Sequence, residues 1–316
     1  MLRRAIQSEY LILFLCVAYF CAMAAFTPEF TSRGNLANIF SAMLPLLVVA
    51  TGQTLVLITA GIDLSATSTI AMASVAGSMV MTAEGGLLAG SSLAAVSGVL
   101  IMLVVGAAIG ALNGGLIAGF RMPPFIVTLT TMMFFSGFAI WLTQSQPIYE
   151  LPGSFLFLGK NLWPTAGIVL VVAGCAQWTL TRTLLGRWIY AVGHNPRAAL
   201  VSGVPNGRVI VLTYVLGGIC AGIAAVLITG RLETGSPVHW RNNLLDVVGA
   251  TVIGGTSLYG GKGKVAWTVF GVLFLTLIDN SLNLLNLSHF TIMMVKGGVI
   301  LFAAVLDAAR TKLLRT

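Results

Sequence analysis

Charge is what this sequence has least of. Among 316 residues there are 9 acidic and 17 basic side chains, or 8% of the chain, where an ordinary soluble protein carries about 25%. No polar stretch between the apolar runs is long enough for a globular domain, so a soluble multidomain enzyme is excluded. Cysteine is also scarce: Cys16, Cys21, Cys175 and Cys220 all fall inside apolar runs without C-x-x-C spacing. They are expected to be small buried hydrophobes, with neither a disulfide frame nor a metal site. The three histidines, His194, His239 and His289, are far apart and form no H-x-x-x-H pair. No carboxylate dyad, nucleophile elbow or G-x-x-x-x-G-K-[ST] phosphate loop is present. The segment 255–261 approaches the last of these, but its spacing fails and Lys262 is followed by glycine. Catalysis on this chain therefore has no footing.

What is abundant is apolar sequence: 57% hydrophobic residues and a mean hydropathy of +0.97. At about 20 residues per crossing, spans are expected near 10–26, 41–60, 65–83, 92–119, 125–143, 162–180, 209–229, 243–258, 265–285 and 290–308. The fold class is accordingly all-α: one polytopic transmembrane domain over 1–316 with about ten spans and both termini cytoplasmic. The first run follows Arg3 and Arg4 but lacks a clear small-x-small cleavage site, so it is read as an uncleaved span rather than a signal peptide. The net charge of +8 does not imply nucleic acid, because the basic residues lie in short clusters beside apolar runs, where they act as orientation signals facing a lipid membrane. With the N-terminus inside, twelve of the 17 basic residues face the cytoplasm: Arg3, Arg4, Arg121, Arg182, Arg187, Arg197, Arg208, Lys262, Lys264, Arg310, Lys312 and Arg315.

Glycine supplies the next signal. Gly106, Gly110 and Gly114, then Gly115 and Gly119, and Gly218 and Gly222 stand at small-x-x-x-small spacing, which lets helices approach closely. Other glycines interrupt spans, at Gly61-Ile62-Asp63-Leu64-Ser65 and across 254–263. Arg121-Met122-Pro123-Pro124 makes a similar break, and this segment and 254–263 are read as plain cytoplasmic turns in preference to broken backbone at membrane depth. Residues 44–65 and 244–264 share an apolar–glycine–polar order that hints at an internal repeat. Ionisable groups at membrane depth are costly, and here they are Asp246, Asp279 and Lys296, expected to pair, with Asp63 at a break. Asp63 followed by Ser65 is read as a cap on the third span in preference to a pathway residue.

The stretch 181–208 carries four arginines and no acid, which places it on the cytoplasmic side. Within it, Asn195, Pro196, Arg197, Ala198, Ala199, Leu200, Val201, Ser202 and Gly203 have the punctuation of a short helix. Asn195 can cap it, Pro196 suits its first position, and Gly203 suits a left-handed end. A helix of about two turns is marginal alone, so it is expected to pack against a separate cytoplasmic subunit.

The run 191–204 resembles the cytoplasmic coupling loop of the ribose-type permeases of bacterial ABC sugar importers. So do residues 59–65, 110–114 with 121–129, and 252–261, all in the family's order. Ala60 departs from it by replacing the family's first glycine, and Pro205 stands where a polar residue is commoner. The resemblance implies a permease subunit of an ATP-driven importer for a monosaccharide or related small polyol. Its partners would be an ATP-binding subunit, a second permease subunit and a periplasmic sugar-binding protein. No cofactor is expected on this chain, ATP and Mg lying on the partner. For a neutral polyol the candidate contacts are Gln53, Thr54, Asp63, Ser65, Asn113, Thr128, Thr130, Asn280 and Asn283, with Phe125 or Trp141 for a sugar face. The rival reading is an ATP-independent facilitator or ion-coupled carrier.

Overall fold

A computed structural model describes residues 11–315. Arg3, Arg4 and Tyr10 lie outside the described residues. Among those described the architecture is all-helical, and the sole strand-like feature is an isolated antiparallel bridge between Ile148 and Gly235. Among the described residues thirteen α-helices follow one another: α1 (Leu11–Phe26), α2 (Arg33–Ile58), α3 (Ala66–Met81), α4 (Ala94–Phe120), α5 (Pro124–Thr143), α6 (Gly153–Lys160), α7 (Leu162–Arg182), α8 (Leu184–His194), α9 (Pro196–Val201), α10 (Asn206–Leu232), α11 (Leu244–Ile253), α12 (Val265–Leu284) and α13 (His289–Arg315). Six of them, α2, α4, α5, α7, α10 and α12, are long and apolar enough to cross a membrane, and α1, α3 and part of α13 are shorter apolar helices.

Two ends of the bundle are defined by hydrogen bonds between turns. At one end, Tyr149 O accepts from Thr82 Oγ1 at 2.7 Å, Glu150 O accepts from the Ala83 amide at 2.9 Å, and Ile148 and Gly235 exchange amide bonds at 2.8 and 2.9 Å. Lys160 meets Glu233 there at 2.8 Å, and Arg231 Nη1 donates to Ser41 O at 3.0 Å. At the opposite end, the turns after α2 and α11 join through the Gly261 amide and Ile58 O, 2.8 Å apart. Tyr190 of α8 donates to Gly263 O at 2.6 Å.

The core runs through α2, α3 and α10, whose inward faces supply most of the main buried cluster. α4 and α10 make the most extensive helix pair, and the reason is steric. A Cβ at Gly110 would overlap Tyr214 O, and one at Gly218 would overlap Gly106 O. Only glycine lets the two backbones come that close. Gly115 and Gly119 behave otherwise: nothing lies within 4 Å of their would-be side chains, so the contact expected of that pair is absent from the described residues. Their position in α4 turns them away from α10.

Several expectations shift at the boundaries. α2 begins at Arg33, eight residues before the expected span, because Ser32 accepts from the Asn35 amide at 3.2 Å and starts the helix outside the apolar run. α11 stops at Ile253 after 10 residues, a rise of about 15 Å. It falls short of the span expected over 243–258, since Gly255 adopts φ +84° and turns the chain. Cys16 and Cys220 are buried as expected, but Cys21 and Cys175 are exposed. An apolar run does not say which of its faces meets protein.

Candidate functional site

The arginine-bearing stretch 181–208 folds as two helices rather than as an open loop. α8 is amphipathic, burying Gly186, Ile189, Val192 and Gly193, a 3–4 spacing that the arginines obscure in the sequence. Thr183 caps α8 by accepting from the Gly186 amide at 3.2 Å. α9 follows after one residue. Asn195 Oδ1 accepts from the Arg197 and Ala198 amides at 3.1 and 3.0 Å, Pro196 takes the first helical position, and Gly203 has φ +82°. Asn206 Nδ2 donates to Pro196 O at 2.7 Å, tying the start of α9 to the start of α10. Only Ala199 of α9 is buried. Leu200 and Val201 are 63% and 89% exposed, and Arg197 stands beside them on the open surface.

The base of this hairpin meets the turns after α2 and α11. At Gly193 a Cβ would overlap Ile58 O and fall 2.6 Å from the Gly261 amide, and at Gly260 (φ +81°) one would fall 2.7 Å from the Ala60 Cβ. Three backbone segments are thus in contact: the end of α8, the turn between α2 and α3, and the turn between α11 and α12. A displacement of α8 cannot be absorbed by side-chain rotation here, because glycine has no side chain to rotate.

Next to this junction is a buried polar cluster. Asp63 Oδ1 accepts from the Ser65 amide at 2.8 Å and from Ser65 Oγ at 2.6 Å, a local turn that leads directly into α3. Asn113 Nδ2 of α4 donates to Ser65 Oγ at 2.8 Å, while its Oδ1 has no partner among the described residues. Ile62 O accepts from Thr128 of α5 at 3.2 Å and from Tyr214 of α10 at 3.0 Å. Asp63, Ser65, Asn113 and Thr128 are therefore brought together, all buried, by four elements converging on one turn.

The remaining candidates are dispersed. Thr54 Oγ1 lies 2.7 Å from Ala50 O and 2.8 Å from Thr268 Oγ1, and Gln53 is buried with Nε2 unpartnered among the described residues. Asn280 and Asn35 exchange side-chain bonds at 2.8 and 2.9 Å. Asn283 donates to Asp279 O at 2.7 Å. Thr130 is exposed and bonds back to Ile126 O at 2.9 Å. Phe125 and Trp141 are exposed; Trp141 stacks with Phe138 on an outward face of α5. Two cavities among the described residues, of about 640 and 330 Å³, include none of these candidates in their walls.

Lys296 of α13 lies between two carboxylates, with Nζ 2.7 Å from Asp246 Oδ2 and 3.0 Å from Asp279 Oδ1. Asn243 supports Asp246 at 3.3 Å. The arrangement joins α11, α12 and α13 by charge where apolar packing alone would leave them free to slide.

Residues 35–304 match the family described as the permease component of branched-chain amino acid transport systems. The chain is 37% identical over 295 residues to the ribose import permease protein of Bacillus subtilis (strain 168), covering 90% of this chain and 88% of the relative. It is 33% identical over 315 residues to the L-arabinose transport system permease protein of Escherichia coli (strain K12), covering 98% and 94%. The D-allose transport system permease protein of the same strain is 32% identical over 317 residues, covering 96% and 91%. No solved structure matches the chain.

Proposed function

The chain belongs to the permease-component family of branched-chain amino acid transport systems, and from that premise we propose that it is the membrane-spanning permease subunit of an ATP-driven bacterial importer for a monosaccharide. Relatives covering nearly its whole length are permeases for ribose, L-arabinose and D-allose, which supports a pentose- or hexose-like solute. The chain is a multi-pass protein of the bacterial inner membrane, forming one transmembrane domain.

In this reading ten helices traverse the bilayer: α1–α5, α7 and α10–α13. α11 crosses as a short helix completed by the turn that follows it. The end carrying α8 and α9 faces the cytoplasm, as do both termini. The distribution of charge supports this orientation: Arg121, Arg182, Arg187, Arg197, Arg208, Lys262 and Lys264 lie at that end, against Arg33, Lys160, Arg231 and Arg241 at the other. The partners are an ATP-binding subunit, which carries ATP and Mg, a second permease subunit and a periplasmic sugar-binding protein.

The observation that carries the coupling role is the exposed apolar pair Leu200 and Val201 beside Arg197, on a capped helix whose base is a junction of glycines. The apolar pair offers burial to a partner, and Arg197 offers a charged contact. Motion of the partner then passes along α8 to the turns after α2 and α11, which begin α3 and α12. The solute path follows the rearranged helices, with the buried polar groups around Asn113 as its candidate contacts.

The test is reconstitution in proteoliposomes. With the ATP-binding subunit and binding protein, uptake is expected to require ATP hydrolysis, and Arg197→Glu is expected to lower it severely while the permease remains folded. Accumulation of solute by this chain alone would establish an ATP-independent carrier instead.

A further inference from the structure

The larger cavity, of about 640 Å³, lies outside the buried polar cluster. Its walls come from α1, the last residues of α11, α12 and α13, and include Leu15, Phe274, Val299 and Phe302. It is an apolar crevice between the first and last helices of the described residues. One rim is different. There the turn after α11 places Lys262 and Lys264 at its edge, both exposed, and Tyr190 and Trp267 also reach it. Among the described residues no acidic side chain lines it. The carboxylates of Asp246 and Asp279 on its flanking helices bond to Lys296, and neither forms part of the crevice wall.

A crevice that is apolar along its length and cationic at one edge is complementary to a molecule with acyl chains and an anionic head. A soluble phosphate would have no use for the apolar length. A neutral lipid would leave Lys262 without a counter-charge. We propose that this crevice binds an anionic phospholipid, with its phosphate at Lys262 and an acyl chain between α1, α12 and α13. Trp267 at the rim suits the level where chain and headgroup meet. The leaflet, though not the site, rests on the orientation proposed above. The same turn contributes Gly261 to the junction with Ile58 and Gly193, so an occupant of the crevice stands against the coupling hairpin.

A lysine near the surface is worth about fivefold in preference for an anionic over a zwitterionic headgroup. The full chain is reconstituted in phosphatidylcholine vesicles containing trace brominated phosphatidylglycerol or brominated phosphatidylcholine, and tryptophan quenching is compared. The component removed by Trp267→Phe is expected to be quenched by the brominated phosphatidylglycerol at a concentration about fivefold lower. Lys262→Gln should abolish that preference while leaving the thermal transition of the protein in place. Equal quenching by both lipids would overturn the proposal. So would a preference unchanged by the lysine substitution, or a Trp267 component that neither lipid quenches, since another protein segment would then fill the crevice. Because the readout is binding, failure of transport would leave it unaffected.

Discussion

Lys296 shows what a single side chain decides in this protein. Its ammonium group bonds two carboxylates at once, and the side chain of Asp246 beside it is only 8% exposed. Lys296→Met leaves that carboxylate buried without its cation, a change that costs about 3–5 kcal/mol. A large fall in the thermal midpoint is expected in detergent, and Asp246→Asn in the same chain should restore part of it. An unchanged midpoint in the single variant would remove the ion pair from the account of stability. Ala60 offers the opposite sign. It holds φ +60°, a left-handed conformation that costs an L-residue roughly 1–2 kcal/mol. Ala60→Gly relieves this cost, offset in part by the greater freedom of glycine in the unfolded chain, and should stabilise by up to about 1 kcal/mol. The denaturation midpoint checks it. The sequence shows only that alanine stands where glycine is usual; the dihedral angle supplies the reason.

At the scale of elements, the pairing of α4 with α10 depends on which face each glycine occupies. Gly110→Ala drives a methyl group into Tyr214 O, so the helices must part, at a cost of about 1–3 kcal/mol. Gly115→Ala enters open space and should leave stability equal or slightly raised, because alanine favours helix over glycine. Thermal melts of the two variants side by side test the assignment, and equal losses would refute it. Both glycines have small-x-x-x-small spacing in the sequence. Spacing identifies a stripe on a helix, whereas a helix has more than one such stripe and only a neighbour selects between them. For the same reason α9 is legible in the sequence, since its caps are local groups bonding to backbone within three residues. α8 is not, because its buried face has meaning only against the core it covers.

For the whole molecule, the proposed arrangement places ten crossings between two sets of turns. Single cysteines introduced at Val201 and at Glu84, in a chain whose native cysteines are replaced, should label from opposite sides of the membrane: the first only after permeabilisation, the second in intact spheroplasts. Labelling of both from one side would break the ten-crossing topology. By itself the sequence determined the class of the protein, its helical content and the capped helix of the coupling stretch, because these follow from composition and from contacts between residues near in the chain. Only the tertiary structure decided that Asp63, Ser65, Asn113 and Thr128 meet at one turn while Gln53, Thr130, Asn280 and Asn283 stand apart, and that Gly193 meets both Ile58 at the end of α2 and Gly261 in the turn after α11. Those are relations between helices distant in sequence. In an apolar chain nearly every face is hydrophobic, so the pattern along a helix no longer says which side is inside; steric fit between particular backbones does.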